Sequence, residues 1–330
     1  MSQPRSSCIP GHGERLPHTS PAGCGPTRSA SAAVEDAAPG SLPQSPDHLA
    51  MSICQKVAGA WHGSRDQGGA EVPVGVVASL ALLEQPEDGP DVTARLLRFS
   101  PHQLVAHYRR VWAMLWLIRP ELAGWARPVR SWLEQSELGR ERADAVHAVT
   151  QAALRAGLLD VTGSVAPYRR SQVDVLGVLL RELRSVGASQ AIGEFHTPPD
   201  ASDLMVRLTL EDELRPEQWF DDPTAGTGGL LRATAQRLRE TGRDPGDFGW
   251  ALNDVDPIAS ACCAVNAYLW RLGPRVLVAC SDVLEQSDPY AQALEERAAA
   301  FARRAALIST VEPLAMLQKQ LPDVSSMRSD

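Results

Sequence analysis

Lysine is nearly missing from this chain, which holds only Lys56 and Lys319. With no lysine at any glycine-rich turn, the phosphate loop G-x-x-x-x-G-K-[ST] is excluded. The dinucleotide fingerprint G-x-G-x-x-G is absent as well, because Gly226-Thr227-Gly228 runs directly into Gly229. The six cysteines (Cys8, Cys24, Cys54, Cys262, Cys263, Cys280) contain no C-x-x-C pair and no metal-ligand spacing. No metal is therefore expected, and the plain reading is free, buried thiols in a reducing cytoplasm. No apolar run approaches the roughly 20 residues of a membrane span, and the N-terminus lacks the apolar centre of a signal peptide. Cations are also in deficit, 32 Lys and Arg against 40 Asp and Glu, for a net charge of −8. Such an average excludes a surface that is basic all round. Contacts to a polyanion would need locally clustered cations or a second subunit.

At 330 residues the chain is long enough for about two domains. Residues 1–47 carry Pro4, Pro10, Pro17, Pro21, Pro26, Pro39, Pro43 and Pro46 among Ser, Gly and Ala. Too little apolar surface can be buried there to offset the about 1–2 kcal/mol of chain entropy per residue, which predicts a disordered tail. Met51 just beyond it is an alternative translation start.

Residues 48–188 read as a helical domain. Glu71-Val72-Pro73 opens a helix running to Leu83, with proline in its first turn. Ser100-Pro101 opens another, in which Leu104, Tyr108, Val111, Leu115 and Ile118 recur at helical spacing until Pro120. A third is expected from Glu137 to Leu159, and a fourth, capped by Ser171, carries Val175, Leu179 and Leu183 before Gly187. Trp112, Trp116 and Tyr108 are expected in the core. The arginines on these helices (Arg109, Arg110, Arg119, Arg127, Arg130, Arg140, Arg142, Arg169, Arg170, Arg181, Arg184) fit either a solvated helix face or a phosphate-contacting patch, the latter diluted by Glu134, Glu137, Glu141 and Asp144.

From 189 to 330 the pattern becomes α/β. Trp219-Phe220-Asp221-Asp222 reads as a strand, followed by Pro223-Thr224-Ala225-Gly226-Thr227-Gly228-Gly229 and a helix from Leu230 to Arg239. Glycine reaches positive φ and lets a ligand approach the main chain, and the following helix offers unpaired N–H groups. Phe248–Val255 reads as a second strand, Pro257–Leu272 as a helix, and Arg275–Cys280 as a third, buried parallel strand. Asp254, Asp256 and Asp282 then fall at strand ends. An acid after the second strand is where ribose hydroxyls are commonly held, and ligands of open α/β sheets bind at that edge.

The octet Asp222-Pro223-Thr224-Ala225-Gly226-Thr227-Gly228-Gly229 resembles the D-P-x-x-G-T-G cofactor motif of the N-6 adenine-specific DNA methyltransferases, most closely the modification subunits of type I restriction systems. Gly193-Glu194-Phe195-His196-Thr197-Pro198-Pro199 is similar to the segment preceding that motif in those subunits. The resemblance covers roughly residues 190–285. It implies a class I, Rossmann-like S-adenosylmethionine-dependent methyltransferase domain behind an all-α domain. It also implies the cofactor S-adenosyl-L-methionine, held by Thr197, Asp222, Pro223, Thr224, Gly226, Thr227, Gly228, Gly229, Asp254 and Asp282. Thr197 would meet the methionine carboxylate, Asp254 (less so Asp256) the ribose, and Asp282 the adenine amine. Read on residues alone, Thr197 also fits an ordinary pre-proline turn, and Asp254 a surface turn.

The family's fourth element, [DNS]-P-P-[YFW], is absent. Its polar group accepts from the adenine N6, and its aromatic ring stacks on a base flipped from the duplex. Asp288-Pro289-Tyr290, after Ser287, is the nearest candidate for a catalytic element, but too few residues separate it from Asp282 for a further strand. Ala305–Val311 lies at the distance of a degenerate fourth strand, followed by Glu312-Pro313 instead of the needed residues. The chain is thus expected to be an adenine-N6 methyltransferase relative acting on DNA with a partner subunit that completes the site. The alternative is a non-catalytic cofactor-sensing or interaction protein.

Overall fold

The computed structural model describes residues 45–66, 68–184, 197–210, 214–285 and 288–320, with side chains as far as 310. Among the described residues, ten α-helices lie between 45 and 184: α1 (Pro46–His62), α2 (Glu71–Ala81), α3 (Val92–Leu96), α4 (Pro101–Ile118), α5 (Pro120–Trp125), α6 (Arg127–Arg130), α7 (Arg140–Arg155), α8 (Leu158–Thr162), α9 (Pro167–Arg170) and α10 (Val175–Leu183). The expected tail lies outside the described residues except at its end, where Pro46 and Asp47 already belong to α1. Ser45 Oγ accepts from His48 N at 3.3 Å and Pro46 sits in the first turn. That cap draws the boundary back from residue 47. Ala50, Ile53, Cys54, Val57 and Trp61 recur on the buried face of α1, and Met51 stands within the helix.

Capping chemistry explains where the other helices differ from their expected bounds. α4 starts on a reciprocal capping box, with Gln103 N donating to Ser100 Oγ (3.4 Å) and Ser100 N to Gln103 Oε1 (2.8 Å). The expected Glu137–Leu159 helix is instead α7 and α8, because Gly157 adopts φ +90° and breaks the hydrogen-bond ladder. α10 is capped by Asp174, whose Oδ1 accepts from Gly177 N at 2.9 Å, and not by Ser171. Ser171 Oγ donates to Pro167 O at 2.7 Å in the turn ending α9. Tyr108 and Trp112 are core residues as expected: the phenol meets Thr150 Oγ1 at 2.6 Å, and the indole donates to Ser79 Oγ at 2.8 Å.

The arginines are mostly spent within the chain. Arg142 pairs with Asp66, Arg127 and Arg130 share Glu134, and Arg119 pairs with Glu121. Arg170 is buried against Glu84 and the carbonyls that end α2, and Arg109 donates to the carbonyls of Leu133 and Gln135. Arg142, Arg170 and Arg109 thus tie separate parts of the helical region together, whereas Arg110, Arg140 and Arg169 stay exposed as on a solvated face.

Helix α11 (Pro199–Thr209) leads to a parallel three-stranded sheet of order β1 (Trp219–Asp222), β2 (Gly249–Asp254), β3 (Val276–Cys280). Helices α12 (Gly229–Glu240) and α13 (Pro257–Leu269) make the crossovers. Asp222 pairs with Leu252 and Asp254 with Cys280, which brings all three strand ends to one edge. β2 and β3 are buried through Leu252 and Ala279, as their apolar runs predict, whereas β1 is covered on one face only. Phe220 packs on Phe248 and Trp250, ring centres 5.5 and 4.9 Å apart. One continuous apolar core takes in α1, α2, α4, α7 and α10 together with β2, β3 and α13. The expected domain boundary at 188 lies outside the described residues.

After Asp282 the chain enters α14 (Tyr290–Gln320). The degenerate fourth strand expected at Ala305–Val311 is therefore not formed. Ala298, Ala299, Ala300, Ala302, Ala305 and Ala306 carry strong helix propensity through the segment, and the run before it is already helical. Among the described residues β1 has no strand neighbour on its outer edge.

Candidate functional site

The site is built at the carboxyl edge of the sheet. After β1 the chain turns at Gly226 (φ +56°) and Gly228 (φ +101°), conformations that a side chain rarely adopts. The turn is hung on β2: Ala225 N donates to Asn253 O at 2.7 Å, and Gly226 N donates to Asp254 Oδ2 at 2.7 Å. Gly228 N then donates to Ala225 O at 2.8 Å and the chain enters α12. The two glycines serve different needs. A Cβ on Gly226 would meet nothing within 4 Å, whereas one on Gly228 would lie 3.0 Å from the Trp270 ring.

Asn253, buried in an otherwise apolar strand, ties the loops together. Its Nδ2 donates to Pro223 O (3.1 Å) and Ser281 O (2.9 Å), and its Oδ1 accepts from Ser281 N (3.1 Å) and Ser281 Oγ (2.9 Å). One amide thus joins the loops after β1 and β3, while its neighbour Asp254 holds the glycine turn. Asp254 Oδ1 also accepts from Asp256 N at 2.9 Å. Asp256 is itself engaged: it caps α13 through Ile258 N (3.0 Å) and pairs with Arg184. Asp282 is exposed and accepts from Leu284 N at 2.9 Å.

A hollow beside the turn is lined by Thr197, Asp222, Thr224, Gly226, Thr227 and Gly229, together with Asp174 and Ser202. Ser202 Oγ is buried there with no hydrogen-bond partner among the described residues. Asp222 accepts from Thr224 N at 3.2 Å, but burial, with Asp221 and Asp254 nearby, raises its carboxyl above the ordinary carboxylate range. Pro223 and Thr224 are exposed. Thr227 is buried and its hydroxyl donates to Asp174 Oδ2 at 2.5 Å. A second hollow of about 200 Å³ at the end of β3 is lined by Pro257, Ser260, Cys280, Ser281 and Trp125. Asp254 and Asp282 line neither hollow. The loops converge, but their carboxylates do not share one cavity. Gly193–His196, the rest of the segment before the motif, lie outside the described residues.

Asp288-Pro289-Tyr290 stands at a helix start. Asp288 Oδ1 accepts from Tyr290 N (3.0 Å) and Ala291 N (3.1 Å), so its carboxylate caps α14; Ser287 lies outside the described residues. Tyr290 nonetheless reaches the sheet edge, donating its phenol to Asp221 Oδ1 at 2.5 Å. Burial and the Asp221 and Asp222 carboxylates push that phenol up. Among the described residues no group of His, Cys, Asp or Glu is placed to hold a metal, and no helix is long and apolar enough to cross a membrane.

Sequence reasoning missed Asp174, Ser202 and Asn253. Asn253 alone left a signal, as a polar residue inside the run Trp250-Ala251-Leu252 that reads as a buried strand. No curated protein matches the chain. Residues 173–295 match the family model of the N-6 DNA methylases, a span that starts before α10 and so reaches further back than the motifs themselves. The glycine turn, the strand ends and the tied loops all lie inside that span, so the segment 173–295 is similar to the N-6 DNA methylases.

Proposed function

We propose that the chain binds S-adenosyl-L-methionine at the carboxyl edge of its sheet and is an adenine-N6 methyltransferase-like protein of restriction–modification type, acting on DNA in the cytoplasm with a partner subunit. The observation that carries this reading is the contact of Gly226 N with the Asp254 carboxylate, reinforced by the Asn253 bridge between the loops after β1 and β3. The donor set suits the cofactor. Gly226 leaves open space in front of the main chain, Ser202 offers a hydroxyl with no partner among the described residues, and acids stand at each strand end. When bound, the cofactor supplies an electrophilic methyl group on a sulfonium centre.

In this reading Thr197 and Ser202 hold the methionine end beside Asp222, Pro223 and Thr224, while Gly226, Gly228 and Gly229 let it approach the backbone. Asp254 accepts from the ribose hydroxyls; two backbone N–H groups fix the plane of its carboxylate and leave its other lone pairs open. The engagement of Asp256 with Arg184 favours Asp254 over it. Asp282, exposed after β3, takes the adenine amine. Burial of Cys54, Cys262 and Cys263 as free thiols supports a reducing compartment.

The acceptor side is where the chain departs from an active methylase. Asp288 is spent on a helix cap and Tyr290 on Asp221, so the flipped adenine must be received by residues of a partner. The helix running through 305–310 favours a second reading, a cofactor-sensing relative that keeps the binding half alone. Incubation with methyl-labelled cofactor and adenine-containing DNA, followed by quantification of N6-methyladenine, tests both. Cofactor binding without transfer by the lone chain is expected. Transfer by the lone chain overturns the need for a partner and the second reading, and no binding overturns the proposal itself.

A further inference from the structure

Helix α10 lies outside the motifs yet touches the site at both ends. At its start, Asp174 Oδ1 caps Gly177 N (2.9 Å) and accepts from Asn266 Nδ2 of α13 (2.9 Å), while its Oδ2 accepts from Thr227 Oγ1 (2.5 Å). Asn266 Nδ2 also donates to Thr227 O at 2.8 Å, so one carboxylate and one amide grip both the hydroxyl and the carbonyl of Thr227. Asn266 and Thr227 are 2 % and 5 % exposed, so water competes little for these bonds. Gly177 is part of the fit. A Cβ there would collide with the Asp174 carboxylate and the Thr227 hydroxyl, which accounts for a glycine inside a helix despite its cost of about 1 kcal/mol against alanine. At the far end Arg184 pairs with Asp256, two residues after Asp254. Leu176, Leu179 and Leu180 anchor the helix in the core between these two contacts.

We infer that α10 is a two-ended clamp on the cofactor loops, with Asp174 the positioning residue that sets the glycine turn through Thr227. As a statement about cofactor affinity this rests on the proposed function; as a statement about the turn it does not. Thr→Val removes the hydroxyl at nearly constant volume, and Thr→Ser keeps it. Hydrogen exchange of the ligand-free protein, followed by mass spectrometry on peptides covering 222–231, separates the two. In Thr227→Val the turn amides are expected to exchange about ten- to a hundredfold faster, the loss of a hydrogen bond to a charged group, while peptides of α2 and β2 are unchanged. Thr227→Ser is expected to match the wild type. Unchanged exchange in Thr227→Val, or equal acceleration in Thr227→Ser, overturns the clamp. Should Thr227→Val fail to fold, Thr227→Ala, which likewise removes the hydroxyl, is read the same way. Titration with S-adenosyl-L-methionine then adds the functional arm: at least tenfold weaker binding in Thr227→Val is expected. No binding by the wild type refutes the cofactor reading, while the exchange data still decide the clamp.

Discussion

Replacing Gly226 and Gly228 one at a time by alanine separates a glycine kept for a ligand from one kept for the fold. At Gly226 the backbone has φ +56° and an added methyl meets nothing within 4 Å. The only structural cost is the left-handed conformation, about 1–2 kcal/mol. For a chain of this size that is a fall of about 1–3 °C in melting temperature. At Gly228 the same penalty applies at φ +101°, and the methyl also lies 3.0 Å from Trp270, which is 1 % exposed and cannot yield. Overpacking of that kind adds about 1–3 kcal/mol, so Gly228→Ala is expected to melt well below Gly226→Ala. Cofactor reverses the ranking of interest. At a hundredfold excess over Kd it stabilises the wild type by about 2.7 kcal/mol, and a hundredfold loss of affinity in Gly226→Ala reduces this to about 0.4 kcal/mol. Thermal melts with and without S-adenosyl-L-methionine read both effects. A full ligand-induced rise in Gly226→Ala refutes the idea that the ligand occupies the space before the turn, and equal destabilisation of both variants refutes the geometric argument.

Burial raises the Asp222 carboxyl, so between its unfolded pKa and its higher folded one the native state binds more protons, and this group's contribution to stability falls as pH rises through that window. Asp222→Asn is therefore expected to have a higher urea midpoint than the wild type at pH 7, the gap closing toward pH 4, with weaker cofactor binding; a gap independent of pH contradicts the assignment. In the helical region, Gly75→Ala drives a methyl into Val129 O and is expected to destabilise by about 1–3 kcal/mol, although alanine is the better helix former by about 1 kcal/mol. Gly59→Ala, with open space in the last turn of α1, is expected to stabilise by up to about 1 kcal/mol, and denaturant midpoints of the pair check both signs.

The parts of this fold that were legible in the sequence are those whose physics is local. β2 and β3 announced themselves as apolar runs between Gly or Pro, and the turn at Gly226 and Gly228 as a backbone that only glycine adopts easily. Helix ends were harder. Ser171 and Asp174 are both capping residues, and only the packing of α9 decides that the serine closes one helix while the aspartate opens the next. The long-range contacts were invisible. Nothing near Asp174 signals that it will meet Thr227, 53 residues away, and the arginines gave no hint of which carbonyls and carboxylates they would reach. Ala305–Val311 misled because an apolar run after a charged helix fits a strand by spacing, while its alanines continue the helix already begun.

The most direct test of the central claim is calorimetric titration of the purified chain with S-adenosyl-L-methionine beside an Asp254→Ala variant. The account predicts saturable binding by the wild type and a loss of at least tenfold in the variant, whose fold is checked by its melt. Equal binding by both proteins, or no heat from the wild type, contradicts it.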